Sequence, residues 1–193
     1  VDGIPWSWES YPDYLRFLAR RQYDMDICGY MPHAAVRVYV MGQRGADREP
    51  ATASDLAQMA QLLREAMVAG AMGFSTSRTF FHRSSDGKSA PTFGAAEEEL
   101  TALALALKTC GKGAMQLIVD FDDAAEAFGC LRRLVERSGR PLSFSLLEGV
   151  LGPLSMRWPE ILDWVAEANA QGLPIKAQVL GRPHRGRLDR LQR

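Results

Sequence analysis

The polar residues best suited to chemistry follow a short apolar stretch in the first half of the chain. Residues 70–83 read GAMGFSTSRTFFHR, in which a helix end, a brief strand and a polar loop succeed one another. Hydroxyl, guanidinium and imidazole groups are gathered there. In parallel α/β proteins, polar residues just past the carboxyl end of a strand line the ligand crevice. The segment therefore has the layout of an active-site loop.

Three further polar positions follow predicted strands. His33 comes directly after the strand-ending Pro32, where it is either a site residue or a hydrogen-bonded packing residue. Asp120 and Asp122 follow an apolar strand and could be ligands, although Asp122 also fits a helix N-cap. The acidic run at residues 97–99 is expected to be a solvated helix start rather than a metal cluster.

These positions depend on a regular alternation of helices and strands. Thr52 and Asp55 resemble a capping box at the start of one helix, which Gly70 ends. The helices are predicted over residues 55–68, 97–108, 124–138 and onward from 159, and the strands over residues 25–31, 72–74, 114–121, 141–147 and 173–180. Residues 36–41 could extend a strand or run along a barrel wall. This alternation predicts an α/β fold with a parallel sheet and right-handed crossovers. Either a doubly wound sheet or part of a (β/α)8 barrel fits, since a whole barrel typically needs about 250 residues.

Composition excludes several classes of function. Lysine plus arginine equals aspartate plus glutamate at 23 each, so neither nucleic-acid nor acidic-membrane binding is expected. The three cysteines show no CxxC spacing, which favours a reducing, cytoplasmic location over a disulfide framework. No apolar run is long enough for a membrane span, and the N-terminus lacks signal-peptide features. Because the chain starts at Val1 within structured-looking sequence, it is expected to be a piece of something longer.

Several ordered motifs resemble one enzyme family. GAMGFSTSR, between a helix ending LREAMVAG and an EELTALA helix, is similar to the AxxAGAxGxSTGL segment of the N-acyl-D-amino-acid deacylases, members of the amidohydrolase superfamily. PHAAVR resembles that family's GHGxLR segment, in which His33 and Arg37 match. ANAQGLPIKAQVLGRP resembles a subgroup of amidohydrolases. The resemblance implies a zinc-dependent hydrolase on a (β/α)8 barrel, of which this chain is the middle third.

The resemblance also implies roles for individual residues. The reaction would be hydrolysis of the amide bond of an N-acyl-D-amino acid or a similar small amide. An arginine would bind the substrate carboxylate, hydroxyl groups would hydrogen-bond the substrate, and histidines would carry protons or orient other groups. Phe80 stands where many members have a substrate-contacting tyrosine. The expected site consists of His33 and His82 as catalytic residues, and Arg37, Ser75, Thr76, Arg78 and Phe80 as substrate-binding residues.

The chain departs from the family at two metal-binding positions. Family members have a metal-binding histidine at the end of the fifth barrel strand, and this chain has Gln116 and Leu117 near that position. Residues 145–148 read SLLE where the family has SHLK, with its second metal-binding histidine. Zinc needs about three protein ligands, so the metal ligands within this chain are unknown and the isolated chain is expected to be inactive. The alternatives are a non-catalytic binding or scaffold domain that has lost its metal, and a doubly wound domain that binds an anion at residues 75–78.

The ends of the chain give two further expectations. Residues 1–183 are interpreted as part of a barrel, and the arginine-rich residues 184–193 as a tail that is non-native or frameshifted. A partial barrel leaves sheet edges open, which predicts homo-oligomers formed through those edges.

Overall fold

The fold is built on one parallel sheet. A computed structural model describes residues 5–146 and 158–179. Within them, five strands pair in the order β1-β2-β3-β4-β5, and every pairing is parallel. The strands are Met31–Pro32 (β1), Gly73–Arg78 (β2), Ala114–Val119 (β3), Leu142–Ser145 (β4) and Ile175–Gln178 (β5). The helices are Tyr11–Ala19 (α1), His33–Met41 (α2), Gln43–Ala46 (α3), Ala53–Ala69 (α4), Glu97–Cys110 (α5), Ala124–Ser138 (α6) and Trp158–Ala170 (α7).

The strand order identifies the type of α/β fold. Each strand pairs with the next one along the chain, whereas a doubly wound sheet reverses its order at a switch point. With right-handed crossovers, sequential order places every connecting helix on the same face of the sheet. This is the arrangement of a (β/α)8 barrel. The predicted parallel α/β fold is therefore confirmed, and the doubly wound alternative is wrong.

Side chains on the two faces of the sheet differ in kind. The helix-facing side chains include Phe74, Met115, Leu117 and Phe144, which are fully buried. Alternate residues point to the opposite face, which we call the lumen face because it would line the interior of a closed barrel. The strand positions on the lumen face are Pro32, Gly73, Ser75, Ser77, Ala114, Gln116, Ile118, Ser143, Ser145, Lys176 and Gln178. The core therefore lies between sheet and helices, and the lumen face is mostly polar.

One glycine of the GAMGF motif is required by the sheet. Gly73 has a φ angle of 142°, and a Cβ built there would lie 1.8 Å from the backbone oxygen of Ala114. No side chain fits between strands that approach so closely. The motif thus allows β2 and β3 to pair over their full length, from Gly73 to Arg78.

Helix starts follow the sequence closely, with one exception. The capping box is confirmed, since Thr52 Oγ1 accepts from the Asp55 amide and Asp55 accepts from the Thr52 amide. Asp122 is not an N-cap. Asp123 takes that role for α6, with Oδ1 accepting from the Glu126 amide at 3.0 Å, because Asp123 is the residue directly before the first helical turn.

Three segments differ from their predicted structure. Residues 36–41 form part of helix α2 rather than a strand, although three valines favour a strand. The helical conformation is favoured over a strand here because it buries His33, Val36, Arg37 and Met41 on one face. β1 is much shorter than residues 25–31, and β2 continues through residues 75–78, where a loop was expected, because β3 offers it a pairing partner throughout.

The remaining expectations concern other parts of the chain. No helix in residues 5–146 or 158–179 has the length and apolar character needed to cross a membrane. The proposed tail at residues 184–193 and Glu148, the last residue of the SLLE segment, lie outside the described residues.

Candidate functional site

The candidate site lies at the carboxyl ends of β2 and β3. Asp120 follows β3 and holds the start of the loop that leaves β2. Its Oδ1 accepts from the Thr79 hydroxyl at 2.6 Å, and its Oδ2 accepts from the Phe80 amide at 2.8 Å. Both carboxylate oxygens of Asp120 therefore bind this loop, and Asp120 fixes the loop's position over the lumen face.

A serine and a histidine meet at the same edge. Ser77 belongs to the lumen face, and its Oγ lies 2.7 Å from Nδ1 of the exposed His82. The far end of the loop is tied to the same strand, because the Thr92 hydroxyl donates to the Ser77 carbonyl oxygen. The loop over residues 79–96 is thus fastened at both ends, with His82 between the two attachments.

Aromatic rings accompany this histidine. The rings of Phe80 and Phe81 stack with centroids 4.0 Å apart, and the side chains are 38% and 42% exposed. Two adjacent exposed phenylalanines offer a flat apolar surface at the mouth of the sheet. Such a surface can contact an apolar group of a small ligand.

His33 occupies a different environment, between the sheet and the helices. Its side chain is fully buried, with Nδ1 2.8 Å from the Thr76 hydroxyl and Nε2 2.8 Å from Glu99 Oε1. Because a carboxylate only accepts hydrogen bonds, Nε2 donates to Glu99, and Nδ1 shares the second hydrogen bond with the Thr76 hydroxyl. Both ring nitrogens are therefore engaged in a buried network.

Arg37 completes that network. Its Nε donates to Glu99 Oε1 at 2.8 Å, its Nη1 donates to the Gly45 carbonyl at 2.7 Å, and its Nη2 donates to the Glu49 carbonyl. Burial by itself raises the pKa of Glu99. The hydrogen bond from His33 and the charge of Arg37 outweigh burial and hold this pKa below its usual value. Glu99 is consequently a buried carboxylate with two partners.

This finding corrects the interpretation of the acidic run. Glu98 is exposed, as expected of a solvated helix start, but Glu99 is only 2% exposed. Its burial could not be read from three consecutive glutamates. The helical phase of α5 decides which one points inward, because Leu100, Leu103 and Leu107 face the sheet together with Glu99.

Arg78 also points toward the helix layer. It alternates with Phe74 and Thr76 along β2, and its Nη1 lies 3.8 Å from the Cys130 sulfur on α6. Burial raises the pKa of the Cys130 thiol, so this cysteine is a neutral packing neighbour.

The predicted site residues thus divide into two groups. Ser75, His82 and Phe80 lie on the lumen face or at its mouth, together with Ser77, which was not in the predicted set. The other predicted residues, His33, Arg37, Thr76 and Arg78, lie between sheet and helices. The roles assigned to both groups stay predictions.

Sequence reasoning missed two residues that organise these groups. Glu99 joins His33 to Arg37, and Asp120 was considered as a metal ligand rather than as the residue that fastens the loop. The position of Asp120 directly after an apolar strand was the available signal. No comparable signal existed for Glu99.

The donor atoms at the strand ends do not fit a zinc site. No cluster of three or more histidine, cysteine, aspartate or glutamate side chains suitable for a metal occurs in residues 5–146 and 158–179. On β3 and β4 the lumen positions are Gln116, Ile118, Ser143 and Ser145, all of them neutral. Gln116 Nε2 is itself directed to the Leu117 carbonyl at 3.4 Å. Neutral amide and hydroxyl groups are poor zinc ligands.

Comparison with known proteins agrees with this geometry. The sequence matches the model of the amidohydrolase family over residues 1–188. A structure of D-aminoacylase, studied for its binuclear metal centre, superposes with a TM-score of 0.74 and 24% identity, over 90% of this chain and 34% of that one. N-acyl-D-glutamate deacylase from Bordetella bronchiseptica, solved with zinc and a phosphonate inhibitor, superposes with a TM-score of 0.71 and 19% identity, over the same shares.

The structural matches show the fold of this chain and cover only part of each matched protein. No curated protein matches the sequence. At 24% and 19% identity the structural likeness shows the fold alone. The chain spans only 34% of the length of the solved structures it matches.

Proposed function

The chain belongs to the amidohydrolase family, and on that premise we propose that it is the central section of a barrel that hydrolyses a small amide. The proposed substrate is an N-acyl-D-amino acid or a close analogue. The observation that carries the proposal is the family match over residues 1–188, and the sequential five-stranded parallel sheet supports it. The deacylase activities of the two structural neighbours suggest the substrate class.

We assign to this section the binding and orientation of the substrate. The stacked pair Phe80 and Phe81 contacts an apolar part of the substrate at the mouth, and Ser75 hydrogen-bonds it from the lumen face. His82, hydrogen-bonded to Ser77, relays a proton at the mouth. Asp120 positions the loop that carries His82 and Phe80. The position of Ser75 and Ser77 on the lumen face, and the contact of His82 with Ser77, support these roles.

We assign a positioning role to the buried network. His33 and Arg37 are held by Glu99, and His33 in turn fixes the hydroxyl of Thr76 on β2. Thr76 lies between the lumen residues Ser75 and Ser77 in the strand. By tying α2 and α5 to β2, the network fixes the height of these two serines relative to the loop.

Metal chemistry would come from other parts of the protein. The two neighbours contain a binuclear metal centre and zinc, respectively. A metal ion in such enzymes lowers the pKa of a bound water and so supplies the nucleophile. The described residues do not fit a zinc site, so we place the ligands outside them and derive no catalytic step through a metal here.

A second function is favoured by the same neutral donor set. If the complete protein lacks metal ligands, as residues 5–146 and 158–179 do, the chain belongs to a non-catalytic barrel that binds a small polar ligand on its lumen face. The neutral lumen positions of β3 and β4 are the observation in favour. Amide hydrolysis remains the leading proposal because the family match covers nearly the whole chain.

The experiment combines metal analysis with an activity assay. The complete protein and the 193-residue chain are purified without chelators, and zinc is measured in both. Amine release is then followed with a panel of N-acetyl-D-amino acids. Near-stoichiometric zinc and amine release in the complete protein only would support the proposal. Zinc in neither preparation, with no amine release, would refute it and favour the non-catalytic barrel.

Further proposals concern the setting of the protein. We propose that residues 1–183 belong to the barrel and residues 184–193 do not.

The edges of the sheet bear on the oligomeric state. β1 and β5 each pair on one side only within the described part, which supports homo-oligomer formation through these edges. Free cysteines at Cys28, Cys110 and Cys130 support a cytoplasmic location. Sedimentation of the purified chain tests the oligomer, and a stable monomer would contradict it.

A further inference from the structure

A lysine on the lumen face has no ion-pair partner among residues 5–146 and 158–179. Lys176 lies on β5, next to the buried Ile175 and therefore on the opposite face of the strand. No carboxylate in the described part of the chain pairs with its ammonium group, whereas Lys88 pairs with Asp86 and Lys108 donates to the Arg137 carbonyl. Lys176 is thus an exposed cation without a counter-charge in the described part of the chain, on the face that would line the barrel.

The strand register places Lys176 in a row of neutral polar groups. Ser75 pairs with Gln116, Gln116 with Ser143, and Ser143 with Lys176. Neighbouring strands are roughly 4.8 Å apart, a distance that the four-carbon stem of a lysine can span. The ammonium group can therefore share a ligand with the Ser143 hydroxyl, and with Ser145 one step closer to the carboxyl edge.

The arginines expected to bind a carboxylate are engaged elsewhere. Arg37 is buried against Glu99 and two backbone carbonyls, and Arg78 is directed toward Cys130 in the helix layer. Neither guanidinium group is on the lumen face. The strand positions of this face include one lysine and no acidic residue within the described part.

Electrostatics then indicates what the row binds. Inside a closed barrel, an ammonium group without a counter-charge would be strongly destabilising, so it requires an anion. Hydroxyl and amide groups around a cation suit a carboxylate, which accepts several hydrogen bonds at once. We propose that Lys176, with Ser143 and Ser145, binds the carboxylate of the substrate. This inference rests on the proposed function for the identity of the substrate.

The first test does not depend on turnover. The complete protein is treated with acetic anhydride, and acetylation of Lys176 and Lys112 is measured by mass spectrometry. Lys112 is the matched control because it is exposed and lies before β3, at the opposite end of the sheet. A panel of N-acetyl-D-amino acids with apolar, polar and charged side chains is compared with the corresponding carboxamides. Protection of Lys176 by carboxylates, and not by carboxamides, is expected, with Lys112 unprotected by either.

The second test uses substitutions. K176M is expected to lower the preference for carboxylate over carboxamide by about tenfold to a hundredfold in affinity or in kcat/KM. K176R should retain part of the preference, and K112M should retain all of it. Circular dichroism and the thermal midpoint establish that each variant is folded.

The outcomes separate the two proposals. Protection without hydrolysis would support the carboxylate site and contradict amide hydrolysis. Hydrolysis of carboxylates and carboxamides at equal rates, or equal acetylation of Lys176 with and without every member of the panel, would overturn the carboxylate site alone. An unchanged preference in K176M would also overturn it.

Discussion

Replacing Glu99 with glutamine should destabilise the protein far more than the same change one residue earlier. Glu99 is buried and accepts from both His33 and Arg37, whereas Glu98 is exposed. In E99Q the amide oxygen can still accept from His33 and Arg37, but the buried Arg37 guanidinium loses its counter-charge. Removing one partner of a buried ion pair costs about 3–5 kcal/mol. That is a large part of the roughly 5–15 kcal/mol that stabilises a typical domain.

The E98Q variant is the control for the loss of stability expected in E99Q. E98Q removes a charge near the amino end of α5, which costs about 0.3–1 kcal/mol through the helix dipole. The two variants should therefore differ by about 2 kcal/mol or more in free energy of unfolding. Urea denaturation followed by far-UV circular dichroism gives this difference, provided that the slopes against urea are equal. A difference below about 0.5 kcal/mol would refute the assignment of Glu99 to a buried ion pair.

The pH dependence of E99Q gives an independent check. The pKa of Glu99 is lowered in the folded state, so its contribution to stability is fully present above the unfolded pKa. This contribution is lost as pH falls through the lowered folded pKa. The gap between wild type and E99Q should be largest near pH 7 and shrink below about pH 4.3. A gap that grows on acidification would contradict the argument.

A double variant tests whether the cost comes from an unpaired charge. Replacing both partners of a buried ion pair with apolar residues is often neutral, because no charge is left buried. R37M/E99L should therefore be more stable than E99Q, despite carrying two substitutions. The single variants R37M and E99L are measured alongside. If R37M/E99L is destabilised by as much as the two single variants added together, or by more, lost packing rather than unpaired charge is the cause.

Three other predictions follow from the described contacts. The pKa of Asp55 is lowered to about 2 by hydrogen bonds from Arg44 and from Thr52. D55N should therefore lower the free energy of unfolding, measured by urea denaturation, by about 1 kcal/mol at pH 7 and by progressively less below pH 4. Equal losses at every pH would contradict this. G73A should fail to fold or lose several kcal/mol of stability, because its Cβ would overlap a neighbouring strand. G70A should lose only about 1–2 kcal/mol of stability, because nothing lies within 4 Å of its Cβ, and equal thermal midpoints of the two variants would be the contrary result. D120N should release the loop at Thr79 and raise amide hydrogen exchange there at least tenfold while leaving α4 protected, and unchanged exchange would show that Asp120 does not anchor the loop.

Local sequence was sufficient for the fold class and for most helices. Helix α6 has the predicted bounds of residues 124–138, and the capping box at Thr52 marks the start of the helix that Gly70 ends. These features depend on contacts within one or two helical turns, which the sequence displays directly. The alternation of helix and strand predicted the parallel sheet for the same reason.

The tertiary structure decided the strand order and the direction of each polar side chain. Residues 36–41 carry strand-favouring valines, yet they form a helix because only a helix buries His33 and Arg37 against Glu99, some 62 residues away from Arg37. Along β2 the sequence placed hydroxyl groups at Ser75 and Thr76, but pairing with β3 fixed which one faces the lumen. In a strand, a shift by one residue exchanges the two faces. The polar residue types of the candidate loop were therefore visible in the sequence, whereas the part played by Ser77, Asp120 and Glu99, and the face on which each side chain lies, were set by long-range packing.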